Sequence, residues 1–337
     1  MNKWYHLDGA DGDVVISTRV RLSRNIGEYP FPWRLDAQGK EKVAEEVKKA
    51  LFENDEFGLS FIEMKNLSRQ QAISLAERHV ISPEFTERAE GSALILSEDE
   101  GISIMLCEED HIKMQAVLSG LALEEAYAKI NRVDSALEEK IDYAFDEKIG
   151  YLTTSPANLG TAMRASVMLH LPALAATGRI SDISLTVSRL GIDITGAYGS
   201  RSQPAGDIYR VSNRITLGIT EETAIANLKA IVLQIEAQER KAAELILDDP
   251  AREDKVFRAL GLLQSARILN ISEFMQLISA VRFGAARGLV DIPVREIDAM
   301  IIEMQPATVS ADDPGINTVT AGDKKRADEV RKRLGKF

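Results

Sequence analysis

The stretch Asn158–Leu159–Gly160–Thr161–Ala162–Met163–Arg164–Ala165–Ser166 contains the residue types from which an anion site is built. Read locally, it is a tight glycine turn that feeds a helix and presents Arg164 in its first turns. Exposed backbone N–H groups, a positive helix N-terminus and a guanidinium would then converge, which suits phosphate. No P-loop lysine stands after the glycine, so a nucleotide site here would be built from arginine.

Arg19 and Arg21, in Ser17–Thr18–Arg19–Val20–Arg21, stand two apart in strand-like sequence and so point to one face. Two adjacent guanidiniums repel unless an anion lies between them, and phosphate oxygens match their fork geometry. Two exposed arginines paired with surface acids is the plainer alternative. Cys107–Glu108–Glu109–Asp110–His111 gathers three carboxylates and a histidine at an expected strand-to-helix junction. That cluster could hold Mg²⁺, position a cationic substrate or supply a general base; acids at a helix start are its ordinary reading. His79 stands alone and reads as structural by default, and Cys107 as a small buried apolar residue. The loop Gly196 to Gly206 reads equally as a mobile lid or a solvated loop.

Periodicity supplies the scaffold for these groups. Asp13 to Arg24 reads as a strand and Lys40 to Glu53 as an amphipathic helix. Ala93 to Leu96 and Ile102 to Leu106 read as strands, and Asp110 to Ile130 as a helix. The segment after Gly160 reads as a helix stopped near Pro172. Ile183 to Ser188, Ile192 to Thr195 and Ile208 to Leu217 read as strands before a long helix from Glu221 to Leu247. Beyond Asp248–Asp249–Pro250 the pattern is helical: Asp254 to Leu269, Ser272 to Arg287, Val294 to Met304 and a basic tail, Asp323 to Lys336. The expectation is an α+β body over 1–248 and a small all-helical domain over 249–337.

Composition limits the function. The 337 residues suit roughly two domains of about 150 residues each. A formal net charge of −11 argues against general nucleic-acid binding. One cysteine excludes an intrachain disulfide, and no apolar run approaches the roughly eighteen residues of a membrane span. The start, Met1–Asn2–Lys3–Trp4, lacks an apolar leader segment, so a cytoplasmic location is expected.

Taken together and in order, STRVRLSRN, ERHVISPEF, CEEDHIK, TTSPANLGTAMRASVMLHLPAL, the Gly196 to Gly206 loop and IYRVSNRITLG resemble the ATP:guanido phosphotransferases over essentially the whole chain. The likeness is greatest to the bacterial protein arginine kinase (McsB) branch, through MLHLPAL and the helical C-terminal extension. No counterpart of the animal enzymes' helical N-terminal domain is seen. The resemblance implies an antiparallel sheet flanked by helices, ATP and Mg²⁺ as cofactors, and protein substrates with exposed arginines. Ser17, Thr18, Arg19, Val20 and Arg21, with Arg164, Ala165, Ser166, Val167 and Met168, would hold the nucleotide. His79 would lie near adenine or ribose, and Lys113 would stand where relatives have a phosphate-binding arginine. Glu109 would orient the guanidinium and take its proton; no metal site made of protein residues is implied. A zinc-binding activator, a Clp-type protease and a homodimer enter by analogy only.

The resemblance breaks at several positions. The family's reactive cysteine is Ser155, and the arginine and second catalytic glutamate of the lid are Thr195 and Ser200. In the tail, an RDxxRA phosphoarginine-binding motif reads Gly322–Asp323–Lys324–Lys325–Arg326–Ala327, leaving Asp323 for a guanidinium and Arg326 for a phosphoryl group. An ordinary basic tail helix is the alternative there. Protein arginine phosphorylation is the expected function. The rival is a catalytically impaired pseudokinase that binds nucleotide or phosphoarginine and regulates a partner.

Overall fold

The computed structural model describes residues 2–53, 57–88, 90–199, 204–247, 249–311, 313, 316 and 318–337. In chain order the elements are β1 (Val15–Arg24), α1 (Ala37–Phe52), β2 (Leu59–Glu63), α2 (Arg69–Glu77), β3 (Ala93–Ser97), β4 (Ile102–Leu106), β5 (Ile112–Ser119) and α3 (Leu123–Glu138). A two-stranded ribbon, β6 (Phe145–Asp146) and β7 (Gly150–Tyr151), precedes β8 (Met163–His170), α4 (Pro172–Ala176), α5 (Ile180–Ser188), β9 (Ile192–Gly196) and β10 (Ile208–Asn213). The rest is helical: α6 (Glu221–Leu247), α7 (Pro250–Ser265), α8 (Ile271–Ala286), α9 (Val294–Glu303), α10 (Pro306–Ser310) and α11 (Val319–Leu334).

Eight strands form one sheet in the order β2-β3-β4-β5-β1-β8-β10-β9, with every pair antiparallel. Side chains alternate across a strand, so each strand sorts its residues between two faces. Val20, Leu22, Met114, Ala116, Ala165, Val167, Leu169 and Val211 lie on one face and are buried. There they meet α1, α3 and α6, through residues such as Val47, Ile130 and Leu228. The opposite face carries the charged residues. Buried Arg24 ties the sheet to α3 through Asp134, with Nη2 2.6 Å from Oδ2, and its guanidinium stacks 3.5 Å from the Tyr151 ring centroid.

Three sequence expectations are corrected. Asp110 to Ile130 is not one helix: it is β5, a turn at Gly120 with φ +67, and then α3. Ile183 to Ser188 is not a strand but part of α5; β-branched content suggested a strand, yet the stretch coils against β9. The start of α8 is capped by Asn270 rather than Ser272, the Asn270 side chain accepting from Glu273 N at 2.9 Å. The C-terminal helices do not stand apart, because Ile16, Met168 and Ile208 of the sheet share a core with Leu263, Phe274, Ile278 and Ile301. Among the described residues no helix is long and apolar enough to cross a membrane.

Candidate active site

Register lines up the cations. Arg21 lies directly opposite Arg164, and Arg19 opposite Ser166, across β1 and β8. Arg210 on β10 lies opposite Met168 on β8 and opposite Thr195 on β9. Alternation therefore puts Ser17, Arg19, Arg21, Arg164, Ser166, Met168 and Arg210 on one face, beside Lys113, Gln115 and Val117 of β5. It also corrects four of the twelve residues expected to hold the nucleotide. Thr18, Val20, Ala165 and Val167 turn to the other face, where they are fully buried in or beside the main core.

Among the described residues, Arg19, Arg21 and Arg210 have no hydrogen-bond or ion-pair partner, and Arg21 Nε is buried without one. Burial, then the charges of Arg21 and Arg210, pulls Arg19 well below the usual arginine range. Burial, then Arg210 and Arg164, brings Arg21 down to about 10. Arg210 is lowered by burial, with Tyr198 opposing. Glu108 and Glu84 oppose the shift of Arg21 from a distance, but like charges held together without a directly bonded counterion make a site that favours an anion.

Arg164 differs from these three. Its Nε donates to Asn158 Oδ1 at 3.1 Å, and its Nη atoms donate to the carbonyls of Asn213 at 3.0 Å and Ala157 at 3.0 Å. It clamps the glycine turn against the end of β10. The turn is as tight as expected: Gly160 has φ +97, and a Cβ there would lie 2.2 Å from the Thr216 carbonyl oxygen. The turn leads into strand β8, not a helix, because the alternating residues after Gly160 split between core and site. The expected helix N-terminus is therefore absent, and the anion-binding character rests on side chains.

Cys107 to His111 forms the turn of the β4–β5 hairpin rather than a strand-to-helix junction, with Cys107 N donating to His111 O at 2.8 Å. Three of its residues brace the turn. Glu108 accepts from Ser82 Oγ at 2.7 Å and from Lys113 Nζ at 2.8 Å. Asp110 Oδ1 accepts from Asn25 Nδ2 at 2.8 Å and Thr154 N at 2.7 Å. His111 Nδ1 accepts from Ile26 N at 3.0 Å and its Nε2 donates to Pro30 O at 3.0 Å, which fixes a neutral tautomer. Glu109 is left: among the described residues its carboxylate has no hydrogen-bond or ion-pair partner. Burial raises its pKa; Lys113 opposes this, and Asp110, Glu108 and Glu84 add to it. Thr154 Oγ1 donates to Glu109 O at 2.8 Å, so Ser155 comes immediately after the strap that holds Glu109. Cys107 is fully buried, and its thiol is pushed up to about 12, which matches a structural residue.

His79, with φ +65, hydrogen-bonds through Nε2 to the Tyr198 hydroxyl at 2.8 Å. Burial, then Arg210 and Arg19, pulls it well below the usual histidine range, so it is neutral at pH 7. Ser17, Arg19, His79, Ser166 and Arg210 enclose a space of about 10 Å³, the room of one water. The described ends of the 196–206 loop are held in place: Ala205 N bonds Tyr198 O at 2.9 Å, and Ala197, Tyr198 and Ala205 pack against the C-terminal helices. Ser200 and Arg201 lie outside the described residues. Arg326 is buried and donates to Asp323 at 2.6 Å, Met304 O at 2.7 Å and Leu269 O at 2.8 Å, so the tail pair serves here as a strut.

The model for the ATP:guanido phosphotransferase C-terminal catalytic domain matches residues 42–242, and that for the protein-arginine kinase McsB C-terminal domain matches 251–337. This chain belongs to the ATP:guanido phosphotransferase family. Within it, the chain is 42% identical over 316 residues to a protein-arginine kinase of Desulforamulus reducens, covering 92% of this chain and 88% of the relative. It is 37% identical over 337 residues to one of Halothermothrix orenii, covering 99% and 97%. The duplicated taurocyamine kinase of Schistosoma mansoni superposes with a TM-score of 0.61 at 25% identity, covering 68% of this chain and 33% of that duplicated chain. A lombricine kinase superposes with a TM-score of 0.62 at 21% identity, covering 69% and 68%. The guanido phosphotransferase sheet thus brings Glu109, Lys113, Arg21 and Arg164 to one face, with Arg19 and His79 farther along it. Arg210 and Tyr198 also stand beside these residues, although the resemblance gives neither a role. Counting by twos through Ile208–Tyr209–Arg210–Val211 would nevertheless put Arg210 on the charged face.

Proposed function

We propose that this protein transfers the γ-phosphoryl group of ATP to arginine side chains of proteins. The observation that carries the proposal is the unpartnered Glu109 carboxylate at the end of an unpaired arginine face. A guanidinium is a poor nucleophile while charged. Glu109 would hold the planar fork and accept one proton as the guanidino nitrogen bonds to phosphorus and the bond from phosphorus to the ADP oxygen breaks. The raised pKa suits a group that must take that proton. Arg19 and Arg21, with Lys113, would face the phosphates, and His79 would stand on the nucleoside side. Among the described residues no group of three or more His, Cys, Asp or Glu could hold a metal, so Mg²⁺ would arrive on the nucleotide's own phosphates and offset their charge.

A second reading, a nucleotide-binding regulator without transfer, is favoured by Ser155 beside the Glu109 strap and by Thr195 on the charged face. One assay separates the two. With Mg-ATP and an unfolded arginine-rich protein, mass spectrometry should find phosphoarginine at about 10²–10⁴ times the level formed by Glu109→Gln. Equal levels would sink the kinase reading. Calorimetric binding of Mg-ATP in that case would support the regulator.

A further inference from the structure

Arg210 has no place in the motif-based set of site residues, yet its surroundings are those of an anion ligand. It projects from β10 onto the charged face, between Met168 on one neighbouring strand and Thr195 on the other. With Ser17, Arg19, His79 and Ser166, Arg210 lines the same small space. Arg210 has no carboxylate, carbonyl or hydroxyl partner among the described residues, and neither does Arg19. Apart from Arg19, the polar groups lining that space are neutral: His79 bonds Tyr198, and the Ser17 and Ser166 hydroxyls can donate. A surface arginine seeking solvent would leave this face. Arg210 is instead held in it, half-buried, against like charge.

We propose that Arg210 is a polyphosphate-contacting residue, forming with Arg19 and Arg21 one anion pocket on the charged face. The inference rests on the ATP reading above and extends it to a residue that supplies a cation from β10. Charge-assisted contacts of this kind are specific to the phosphate chain, so the contribution of Arg210 depends on how many phosphates the ligand carries.

The full chain and its Arg210→Gln variant, titrated calorimetrically with Mg-ATP and AMP, test this. Arg210→Gln should weaken ATP about 10–100-fold and AMP less than about threefold. The variant should melt no lower than the wild type, since one unpaired cation has been removed. Equal ATP affinity in the two proteins overturns the proposal. So does an equal loss for AMP and ATP, or a lower melting temperature accompanying the loss, each of which marks a structural arginine. If the wild type binds no ATP, the ATP reading fails, and pyrophosphate then tests the pocket by itself. Binding of pyrophosphate that disappears in Arg210→Gln keeps Arg210 as an anion ligand; no binding to the wild type overturns it.

Discussion

Glu109 is the open carboxylate of its turn because its neighbours are occupied. Glu108 is held by Lys113 and Ser82, and Asp110 by Asn25 and Thr154, so a cation approaching the hairpin turn meets one unpaired carboxylate. That freedom has a cost with a definite pH dependence. Burial and nearby acids hold the Glu109 pKa above its unfolded value of about 4.3, so across that window the unfolded chain binds fewer protons. The contribution to stability is fully present below the unfolded pKa and is lost as pH rises through the folded one. Glu109→Gln cannot ionise and escapes this loss. Its unfolding free energy, measured in urea, should therefore gain on the wild type as pH rises from about 4 to 7, while phosphoryl transfer is lost. A gap between the two proteins that stays constant with pH would contradict the assignment.

Among the elements, the glycine turn and β8 act as one device. Arg164 clamps the turn from β8, and Gly160 permits the close approach to Thr216. Gly160→Ala combines a positive φ with a contact that no Cβ can keep, so it should destabilise the fold by about 1–3 kcal/mol or more and lower transfer with it. Chemical denaturation and a rate assay on the same preparation would check both. The motif residues here were legible because their types are unusual together: a glycine turn, an arginine two residues into a strand, acids beside a histidine. The element carrying them was not. Ala, Met and Leu dominate Met163 to Leu171 and favour a helix locally, whereas pairing with β1 and β10 on both sides makes it a strand. Asp110 to Ile130 shows the same limit, since Gly120 and the pairing of β5 with β1 and β4 divide what looks like one amphipathic run. Arg24, read as part of a strand motif, braces the core face through Asp134, a partner 110 residues away that no local pattern signals.

At the scale of the molecule, the C-terminal helices are built into the sheet. Arg282 of α8 is fully buried. It donates to Asp298 at 2.6 Å and to the carbonyls of Gly12 and Asp13 at 2.9 and 3.0 Å, just before β1 begins. Arg326 of α11 acts in the same way, reaching Leu269 O between α7 and α8, Met304 O at the end of α9, and Asp323 on its own helix. Arg326→Ala would leave two buried carbonyls without a donor and should cost about 2–5 kcal/mol. A lower urea midpoint with unchanged slope would show it. Since Tyr198 packs on these helices and bonds His79, loosening them should also weaken the hold on Tyr198 and so on His79.

The two-faced sheet also limits how this protein can change over generations. A single inserted or deleted residue in β1 would swing Arg19 and Arg21 into the apolar core and Val20 onto the charged face, so strand length is closed to drift. Exchange between neighbouring strands at one level costs no such inversion. Thr195 and Arg210 stand opposite each other at such a level, so a cation there could sit on either strand and keep the same face. The lineage is free to move its charges sideways, and never lengthwise by one.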